Sequence, residues 1–469
     1  MLLDKKVKII ATIGPASQSL DTLEKLAEEG VDVYRINLSH ASISETKSII
    51  SKIRQVENKI KRPLTVMCDL PGPKIRIGKM DKNSQLVQGS EVLIHKKNIR
   101  GNSTQFSLNH PQIIEQLKEG TLIYIDDGNI QLQVIDKNKE FATARVLIGG
   151  LLKGAKGFSA EGLSLHLTDV LKQDKESILQ LLSEDVDAFA ISFVQNKKDV
   201  LNIKALLENR NEIKLIAKIE TENGVLNASE ILEVADGLMI ARGDLGLAIP
   251  LAKVPIIQKQ LIKLCNLNSK PVITATQMLE SMTIRPLPTR AEVTDVTNAI
   301  LDGTDALMLS AETADGKYPV EVTKTMVKII LETIKIQNHT NEYETATVSN
   351  AISNSAGNIA DLVNAKLIVA FTQSGNTARN ISKYKHKQPI IALSTEKSTI
   401  KYLNFSWGVY PYKILLTKGF QDMREQAQKI SRTNDYILLQ NNDNYVIVSG
   451  MPFGKSGSTN MIFVDKVSS

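Results

Sequence analysis

The chain has 469 residues, of which 42% are hydrophobic and 23% are charged, and its formal net charge is +6. This length is too great for one ordinary core and predicts roughly two to four domains, of which we adopt about three. The composition excludes a disordered chain, and no apolar run approaches the roughly 18 residues of a membrane-spanning helix. We therefore expect a cytoplasmic protein that does not bind membranes.

The positive charges are scattered along the chain, and aromatic residues make up only 4% of it. A nucleic-acid partner is therefore not expected. A mild positive balance instead suits small anionic substrates, because a cationic cleft concentrates them. The two cysteines, Cys68 and Cys265, can form neither a disulfide framework nor a zinc cluster, and we assign them to core packing.

Eight short β-branched runs recur along the chain, and each is followed by a longer helical pattern. They read VKIIATIG, VDVYRINL, PLTVMCDL, DAFAISFV, IKLIAKIE, DGLMIARG, KPVITATQ and DALMLSAE. Alternating strands and helices favour parallel βα units, and eight units match the number that closes a (β/α)8 TIM barrel. The predicted fold class is therefore α/β.

The alternation of predicted strands and helices stops after the third strand. Residues 74–168 change to alternating, turn-punctuated stretches such as TLIYIDDGNIQLQVID, which predict an inserted β domain. The barrel is then assigned to residues 1–73 and 169–340, and it ends with a helical pattern from Pro319 to about His339. The polar stretch NHTNEYETATVSN resembles a linker, and KLIVAFT, PIIALST, YVIVSG and MIFVDK predict a separate α/β domain over residues 341–469.

Polar residues fall where the predicted barrel strands end. Catalytic side chains of barrel enzymes lie at this end, because the carboxyl ends of the strands and their loops form one shared face. Since side chains alternate along a strand, we expect four sets to share a side: Arg35, Asn37 and Ser39; Lys218 and Glu220; Thr274 and Thr276; Ser310 and Glu312. Each alone could be an ordinary loop residue or a buried ion pair, but several converging charges favour a ligand or metal.

Two of these carboxylates are candidate metal ligands. Glu220 and Asp244 offer the hard oxygens that Mg²⁺ takes from one or two carboxylates, beside substrate and water, with Mn²⁺ as the alternative ion. Arg35 and Lys218 can neutralise charge on a transferring phosphoryl group, and Gly243 lets the backbone approach an anion. The sequence has no GxxxxGK[ST] motif before a helix and no GxGxxG, so a nucleotide must be held in another way.

Seven strings, in this order, resemble the pyruvate kinase family over essentially the whole chain. They are IIATIGPAS, YRINLSH, DLPGPKIRIG, AKIETENG, IARGDLG, ITATQMLESM and TRAEVTDVTNAILDGTDALMLSAETADGKYP. The resemblance implies a barrel, a mobile lid that corresponds to the insertion, a carboxyl-terminal effector domain and a homotetramer. It also implies phosphoryl transfer from phosphoenolpyruvate to ADP, giving pyruvate and ATP in the final step of glycolysis.

The resemblance carries roles to individual residues of this sequence. Lys218 is similar to the lysine that bridges the transferring phosphoryl group, with Glu220 and Asp244 on magnesium. Arg35 would bind phosphate, while the Gly243 and Asp244 backbone and Thr276 would hold the substrate carboxylate. The expected nucleotide-phosphate contacts are Asn37, His40, Arg76 and Lys156. Ser310 and Glu312 are expected to lie in an outer layer, behind the residues that touch the substrate, or to relay a proton through water to the enolate carbon.

Two departures from the sequence pattern of the family concern a monovalent cation. Potassium-dependent members have a glutamate in the GPxIR motif, where this chain has Lys74, and a Thr-Lys pair where it has Leu70-Pro71. The oxygens of a potassium site are still available, and they would come from Asn37, Ser39, Asp69 and the Leu70 carbonyl. Because an ammonium group at Lys74 supplies positive charge in the same place and repels a second cation, we expect no K⁺ requirement.

The last predicted domain contains a candidate effector loop. Residues Thr372, Ser374, Gly375, Asn376 and Thr377 follow the KLIVAF run and precede a helical pattern at Ala378. Hydroxyl and free N–H groups at the start of a helix bind phosphate. An ordinary strand-to-helix turn can, however, have the same residue pattern. The resemblance favours a phosphorylated effector, without distinguishing fructose bisphosphate from a sugar monophosphate or AMP. Lys455 and Ser456, in MPFGKSGST, are expected to close over it.

Two other functions fit parts of the same sequence. A magnesium-dependent lyase or aldolase on a TIM barrel would form the same enolate, but would need neither ADP contacts nor a lid of this size. A catalytically silent sensor would use its last domain to bind sugar phosphate, but intact Lys218, Glu220, Asp244 and Thr276 argue against it. Pyruvate formation from phosphoenolpyruvate, with and without ADP, separates the three.

Overall fold

The structure is a computed structural model that describes residues 3–81, 84–163, 171–208, 210–336, 343, 347–417, 419–433, 439–451 and 458–467. It contains a closed parallel barrel, an inserted β-rich unit and a carboxyl-terminal α/β unit. None of the helices within these ranges is both long and apolar enough to cross a membrane.

The first part of the chain supplies three strands of the barrel. Side chains of the first and third strands are buried along their whole length, as expected for parallel strands that are covered on both faces. The second helix begins with a capping box in which Ser42 and Glu45 each accept a hydrogen bond from the other's backbone N–H. These elements are β1 (Lys8–Ile13), α1 (Leu20–Glu28), β2 (Val33–Asn37), α2 (Ile43–Ile60) and β3 (Thr65–Asp69).

The inserted unit is a mixed sheet with its own core. The alternation of buried and partly exposed side chains is clearest in IQLQVIDK, where Ile130, Leu132 and Val134 are buried and the residues between them are not. Its strands are β4 (Ser84–Leu86), β5 (Glu91–His95), β6 (Gln105–Ser107), β7 (Leu122–Ile125), β8 (Ile130–Lys137), β9 (Phe141–Ile148), β10 (Gly150–Leu152) and β11 (Phe158–Ala160). A 3₁₀ helix spans Pro111–Glu115, the main sheet has the order β11-β7-β8-β9-β5-β6, and β10 pairs with β4. The predicted β insertion is confirmed.

The chain then returns to complete the barrel. The elements are α3 (Lys172–Leu181), β12 (Ala188–Ile191), α4 (Lys197–Leu206), β13 (Lys214–Ile219), α5 (Glu222–Leu226), α6 (Ala228–Val234), β14 (Gly237–Ala241), α7 (Arg242–Ala248), α8 (Val254–Leu267), β15 (Val272–Ala275), α9 (Arg290–Leu301), β16 (Ala306–Leu309), α10 (Ala311–Ala314) and α11 (Pro319–Ile336). Short 3₁₀ helices span Leu251–Lys253 and Glu280–Thr283. The strands close in the order β1-β16-β15-β14-β13-β12-β3-β2. Each of the eight predicted runs therefore holds one strand of the barrel.

The carboxyl-terminal unit is an open sheet of order β19-β18-β17-β20-β21, parallel except for its last strand. Its elements are α12 (Val348–Leu362), β17 (Leu367–Phe371), α13 (Asn376–Ser382), β18 (Ile390–Ser394), α14 (Lys397–Leu403), β19 (Val409–Lys413), α15 (Phe420–Thr433), β20 (Asn444–Gly450) and β21 (Thr459–Lys466). The predicted α/β domain is confirmed. Its four quoted runs became β17, β18, β20 and β21, and β19 is additional.

This unit closes the amino-terminal end of the barrel. Tyr402 and Phe405 are buried in one cluster with barrel-interior side chains such as Ile10 and Met308. At the start of β3, the hydroxyl of Thr65 donates a 2.6 Å hydrogen bond to the Lys401 carbonyl. The opposite, carboxyl end of the barrel is the face at which barrel enzymes hold their active sites.

The predicted domain boundaries stay predictions. The division between residues 168 and 169, and that between 340 and 341, both lie outside the described residues. The division at 73/74 lies in a segment between β3 and the first inserted pairing, a bridge of Arg76 with Gly157.

Candidate active site

A cation–carboxylate cluster lies at the carboxyl ends of β2, β3 and β13. Asp69 accepts a hydrogen bond from Nε of Arg35 at 2.7 Å and one from Nζ of Lys218 at 3.2 Å, each on a different carboxylate oxygen. Arg35 also donates to Oγ1 of Thr12 at 2.9 Å. Burial raises the pKa of Asp69, but Lys218 and Arg35 outweigh it and hold that pKa below its ordinary value. The predicted convergence of Arg35 and Lys218 is thus present in the structure.

Glu220 extends this cluster toward the cleft. Its Oε1 atom lies 3.0 Å from Nζ of Lys218, and its Oε2 atom accepts a 2.6 Å hydrogen bond from the N–H of Phe193. The ion pair is not aligned as a hydrogen bond, so Oε1 has no hydrogen-bond donor within the described part of the chain. Burial raises the pKa of Glu220 above its ordinary value, because the opposing charge of Lys218 does not outweigh burial and the neighbouring Asp244 and Asp69 add to the rise.

Gly243, Asp244 and Thr276 meet where β14 and β15 end. The N–H of Gly243, in the first turn of α7, donates a 2.9 Å hydrogen bond to Oγ1 of Thr276. Thr276 has φ of +67°, which is strained for a β-branched residue and occurs mainly where surrounding contacts impose it. One such contact is Arg242, which donates to the Thr276 carbonyl at 2.7 Å and pairs with Asp295 at 2.7 Å.

A cleft of about 410 Å³ lies between this end of the barrel and the inserted unit. It is lined by both candidate metal ligands, Glu220 and Asp244, and by three of the four predicted nucleotide contacts: His40, Arg76 and Lys156. The fourth, Asn37, uses its side-chain oxygen to accept the Ser39 N–H at 3.1 Å.

Two cations of the insertion already have partners. Nζ of Lys156 lies 2.7 Å from the Asp126 carboxylate, and Arg76 donates to the Ala155 carbonyl at 2.8 Å. A phosphate at either cation would compete with these contacts.

Lys74 reaches the residues predicted to bind a monovalent cation. Its Nζ atom donates to Oγ of Ser39 at 3.3 Å. Burial, and then the charge of Lys218, lower the pKa of Lys74. Another predicted ligand, the Leu70 carbonyl, accepts a 2.7 Å hydrogen bond from the Ser192 hydroxyl. Lys74 therefore places an ammonium group beside one predicted cation ligand, and its substitution for K⁺ stays a prediction.

The strand-alternation argument does not hold through the last residue of any of the four sets. Ser39, Glu220 and Thr276 lie after β2, β13 and β15 have ended, and Glu312 lies in α10, which begins directly after Ser310. Glu312 nevertheless stays close, because its carboxylate accepts the backbone N–H groups of Ser310 at 2.6 Å and Leu279 at 3.1 Å.

Ser310 and Glu312, which follow β16, are the residues predicted to lie in the outer layer of the site. Burial raises the pKa of Glu312. The Ser310 hydroxyl is buried and has no hydrogen-bond partner among the described residues. Nothing in this arrangement contradicts the predicted outer layer, and its proton relay stays a prediction.

The residues fit a magnesium ion bound by few protein ligands. Glu220 and Asp244 line one cleft, and Glu220 presents an oxygen without a hydrogen-bond donor. No group of three or more histidine, cysteine, aspartate or glutamate side chains forms a metal cage within the described ranges. Mg²⁺ commonly uses one or two carboxylates and completes its shell with substrate oxygens and water, so this donor set suits it.

The predicted effector residues lie at a smaller cavity, of about 100 Å³, in the carboxyl-terminal unit. Thr372, Ser374, Asn376 and Thr377 line it, and Gly375, with φ of +85°, is the N-cap of α13. That helix begins at Asn376 rather than at Ala378. The Thr377 hydroxyl is hydrogen-bonded to Thr459 at 2.7 Å. Lys455 and Ser456 lie outside the described residues, so their predicted closure over the loop stays a prediction.

Sequence reasoning missed Ser192 and Phe193, which follow β12 and contact Lys218 and Glu220. The signal was present, because Ser192 is a polar residue at the end of a barrel strand, like those that were selected. It also missed Asp174, whose carboxylate accepts the Gly72 N–H at 3.4 Å.

Together, the closed (β/α)8 barrel, the buried Arg35 and Lys218 at its carboxyl end and the inserted unit beside that end define a TIM-barrel enzyme whose fixed cations suit an anionic substrate. Two family models match the chain: "Pyruvate kinase, barrel domain" over residues 4–323, and "Pyruvate kinase, alpha/beta domain" over residues 350–464. The chain belongs to the pyruvate kinase family, whose members transfer the phosphoryl group of phosphoenolpyruvate to ADP.

Individual relatives agree with this assignment. The chain is 42% identical to a pyruvate kinase of Geobacillus stearothermophilus, over 99% of this chain and 81% of the relative. It is 41% identical to one of Staphylococcus aureus (strain USA300), over 99% of this chain and 80% of the relative. A crystal structure of a pyruvate kinase from Cryptosporidium parvum superposes with a TM-score of 0.92 at 32% identity, covering 99% of this chain and 97% of that one.

Proposed function

We propose that the cluster of Arg35, Lys218 and Glu220, with Asp244 across the cleft, is the phosphoryl-transfer centre. The observation that carries the proposal is the position of Lys218. Its buried ammonium group lies within 3.2 Å of Asp69 and 3.0 Å of Glu220, and Glu220 in turn lines the cleft that the inserted unit lines from the other side. A fixed cation at that place neutralises the charge that spreads over the phosphoryl oxygens during transfer.

The substrate would bind next to this cation. Arg35 is held by Asp69 and Thr12, so its guanidinium is already oriented for a phosphate group. The Gly243 and Asp244 backbone, at the start of α7, and the Thr276 hydroxyl would hold the substrate carboxylate. The Gly243 N–H, now bonded to Thr276, would turn to the carboxylate in exchange.

The nucleotide would enter from the side of the insertion. His40, Arg76 and Lys156 line the same cleft, and Asn37 lies at the end of β2. Their role is to hold the phosphates of ADP in line with the transferring group, because positioning supplies much of the rate enhancement in phosphoryl transfer. Lys156 would exchange Asp126 for phosphate.

Glu220 and Asp244 would hold Mg²⁺, which would act as a Lewis acid and neutralise phosphate charge. Mn²⁺ has a similar ligand preference and is the alternative ion. The remaining chemistry belongs to the chain: Lys218 stays protonated and fixed, and the enolate that is left behind takes a proton at carbon. Ser310 and Glu312 would order the water that delivers it.

Several further properties belong to the same proposal. The enzyme is a cytoplasmic homotetramer with no membrane or nucleic-acid partner, it does not require K⁺, and a phosphorylated effector regulates it at the loop 372–377. The domain boundaries predicted above, at 73/74, 168/169 and 340/341, are retained.

One assay tests the central function. Purified protein is supplied with phosphoenolpyruvate and Mg²⁺, and pyruvate is measured with and without ADP. We expect pyruvate and ATP to form in equal amounts, only when ADP is present, and formation to stop when the divalent ion is chelated. Pyruvate released without ADP would instead indicate the lyase or aldolase, and no turnover under any condition would indicate a silent sensor.

A further inference from the structure

The turn that follows β12 touches both residues that we place at the reaction centre. Oγ of Ser192 accepts a 2.8 Å hydrogen bond from Nζ of Lys218, and the next N–H, that of Phe193, donates to Glu220 at 2.6 Å. We propose that Ser192 is a positioning residue for phosphoryl transfer, which orients the Lys218 ammonium group and ties it to the hinge of the inserted unit. This inference rests on the role proposed for Lys218.

The hydrogen bonds of Ser192 account for its single hydroxyl proton. A hydroxyl group has one donor and two acceptor positions. Ser192 donates to the Leu70 carbonyl at 2.7 Å and accepts from Lys218. Oδ1 of Asp69 is 3.5 Å from the same oxygen, beyond the range of a well-formed O–H···O bond. The proton is therefore committed to Leu70, and the lone pair faces the lysine.

Ser192 completes the surroundings of the ammonium group. Within the described part of the chain, Nζ donates hydrogen bonds to Asp69 at 3.2 Å and Ser192 at 2.8 Å, and it lies 3.0 Å from Glu220 in an ion pair. Asp69 and Glu220 are carboxylates that offset the positive charge, whereas Ser192 is neutral. It therefore fixes the direction of the ammonium group without reducing the charge that the phosphoryl group needs.

The same side chain supports the hinge. Leu70 follows β3 directly, and Gly72 and Lys74 lead into the inserted unit. A Cβ atom on Gly72 would lie 2.6 Å from Cβ of Ser192, and Gly72 has φ of +63°, so the hinge backbone packs directly against this serine. Ser192 thus connects the position of this segment to the orientation of Lys218, in addition to the direct bond between Lys218 and Asp69.

The turn is held in a strained conformation. Phe193 has φ of +56°, which is unfavourable for a bulky residue and persists only where other contacts impose it. The bond from its N–H to the Glu220 carboxylate is such a contact. Ser192 therefore holds Lys218, and the next residue, Phe193, holds the Glu220 carboxylate.

The test compares two variants that remove the hydroxyl in different ways. Ser192→Ala leaves a small cavity, whereas Ser192→Cys keeps the volume and offers only a weak acceptor. For both, we expect kcat for pyruvate formation to fall roughly 10- to 100-fold, since a hydrogen bond to a charged group is lost. We expect KM for phosphoenolpyruvate, and the Mg²⁺-dependent proton exchange at the methyl group of pyruvate, to stay within about threefold, because neither depends on transfer.

A matched control removes another buried serine hydroxyl. Ser177, on α3, donates to the Gln173 carbonyl at 2.9 Å, and Ser177→Ala should leave every rate unchanged. The inference is overturned if Ser192→Cys keeps the wild-type kcat, or if transfer and proton exchange fall together in folded protein. If Ser192→Ala does not fold, Ser192→Cys decides alone. Lys218→Met is measured alongside, and a variant that still transfers would refute the role of Lys218 itself, a separate failure.

Discussion

Nζ of Lys218 lies 3.2 Å from Oδ1 of Asp69, while the other oxygen of that carboxylate binds Arg35. Burial lowers the pKa of Lys218, but the Asp69 and Glu220 carboxylates outweigh it and raise that pKa above the ordinary value. The lysine is therefore charged throughout the working pH range and acts as a fixed cation rather than as a proton donor. Any pH dependence of the reaction must come from other groups.

Asp174 gives the barrel a pH-dependent stability. Burial raises the pKa of Asp174 from 3.8 to about 6. The folded state then holds this proton more tightly than the unfolded state, so the contribution to stability is present at low pH and is lost as pH rises toward 6. We expect Asp174→Asn to be more stable than wild type above pH 6, by about 3 kcal/mol at 1.36 kcal/mol per pKa unit.

Thermal unfolding at a series of pH values tests this prediction. The difference in midpoint between Asp174→Asn and wild type should be small near pH 4, grow up to pH 6 and then level off. Asp136→Asn, which changes an exposed carboxylate of the insertion, should track wild type. A constant difference at all pH values would show that Asp174 does not titrate in this range.

Lys74 should make the enzyme independent of potassium. Its ammonium group lies 3.3 Å from Oγ of Ser39, one of the predicted cation ligands, and like charges at this distance repel. Initial rates are measured in tetramethylammonium buffer, and K⁺ is then added at constant ionic strength. We expect full activity without K⁺, and a K⁺ response in Lys74→Glu.

Lys79→Glu provides the matched charge change, because Lys79 is an exposed residue of the same segment. It should behave like wild type. A wild-type enzyme that is nearly inactive until K⁺ is added would disprove the role of Lys74.

The effector loop should be sensitive to negative charge. Ser374 lines the smaller cavity beside Thr372 and Asn376, and a carboxylate there repels phosphate. Activation is measured with fructose bisphosphate, a sugar monophosphate and AMP at subsaturating phosphoenolpyruvate. Ser374→Glu should abolish the activation that wild type shows, and Ser374→Ala should retain most of it. Activation that is equal in Ser374→Glu and wild type, or absent from wild type, would remove this site.

The barrel and the pairing of Lys218 with Glu220 were predictable from sequence, because both depend on local patterns. Strand ends in a parallel barrel share one face, so polar residues that follow buried runs must lie near one another. The loop 372–377 was selected because it follows a predicted strand and precedes a helical pattern, and the structure places it at a cavity.

The connections within the site were not predictable in this way. Asp69 was assigned only to a cation site, whereas its carboxylate bridges Arg35 and Lys218. The hydrogen bond from Ser192 to Leu70 joins residues 122 positions apart, and no local pattern encodes it. Alternation also failed at Glu312, since a helical turn begins immediately after Ser310. Such contacts depend on packing between distant segments, which one sequence does not specify by periodicity.

Replacing Lys218 tests the account most directly. Lys218→Met removes the fixed cation and leaves Glu220 and Asp244 to hold the metal, and Asp69 remains paired with Arg35. Transfer from phosphoenolpyruvate to ADP should fall by roughly 10²–10³-fold or more, since one preorganised charge is lost from the developing anion. Proton exchange at the methyl group of pyruvate, measured on the same folded variant, should be affected much less. If both activities fall equally, or if transfer survives, Lys218 does not have the role proposed here.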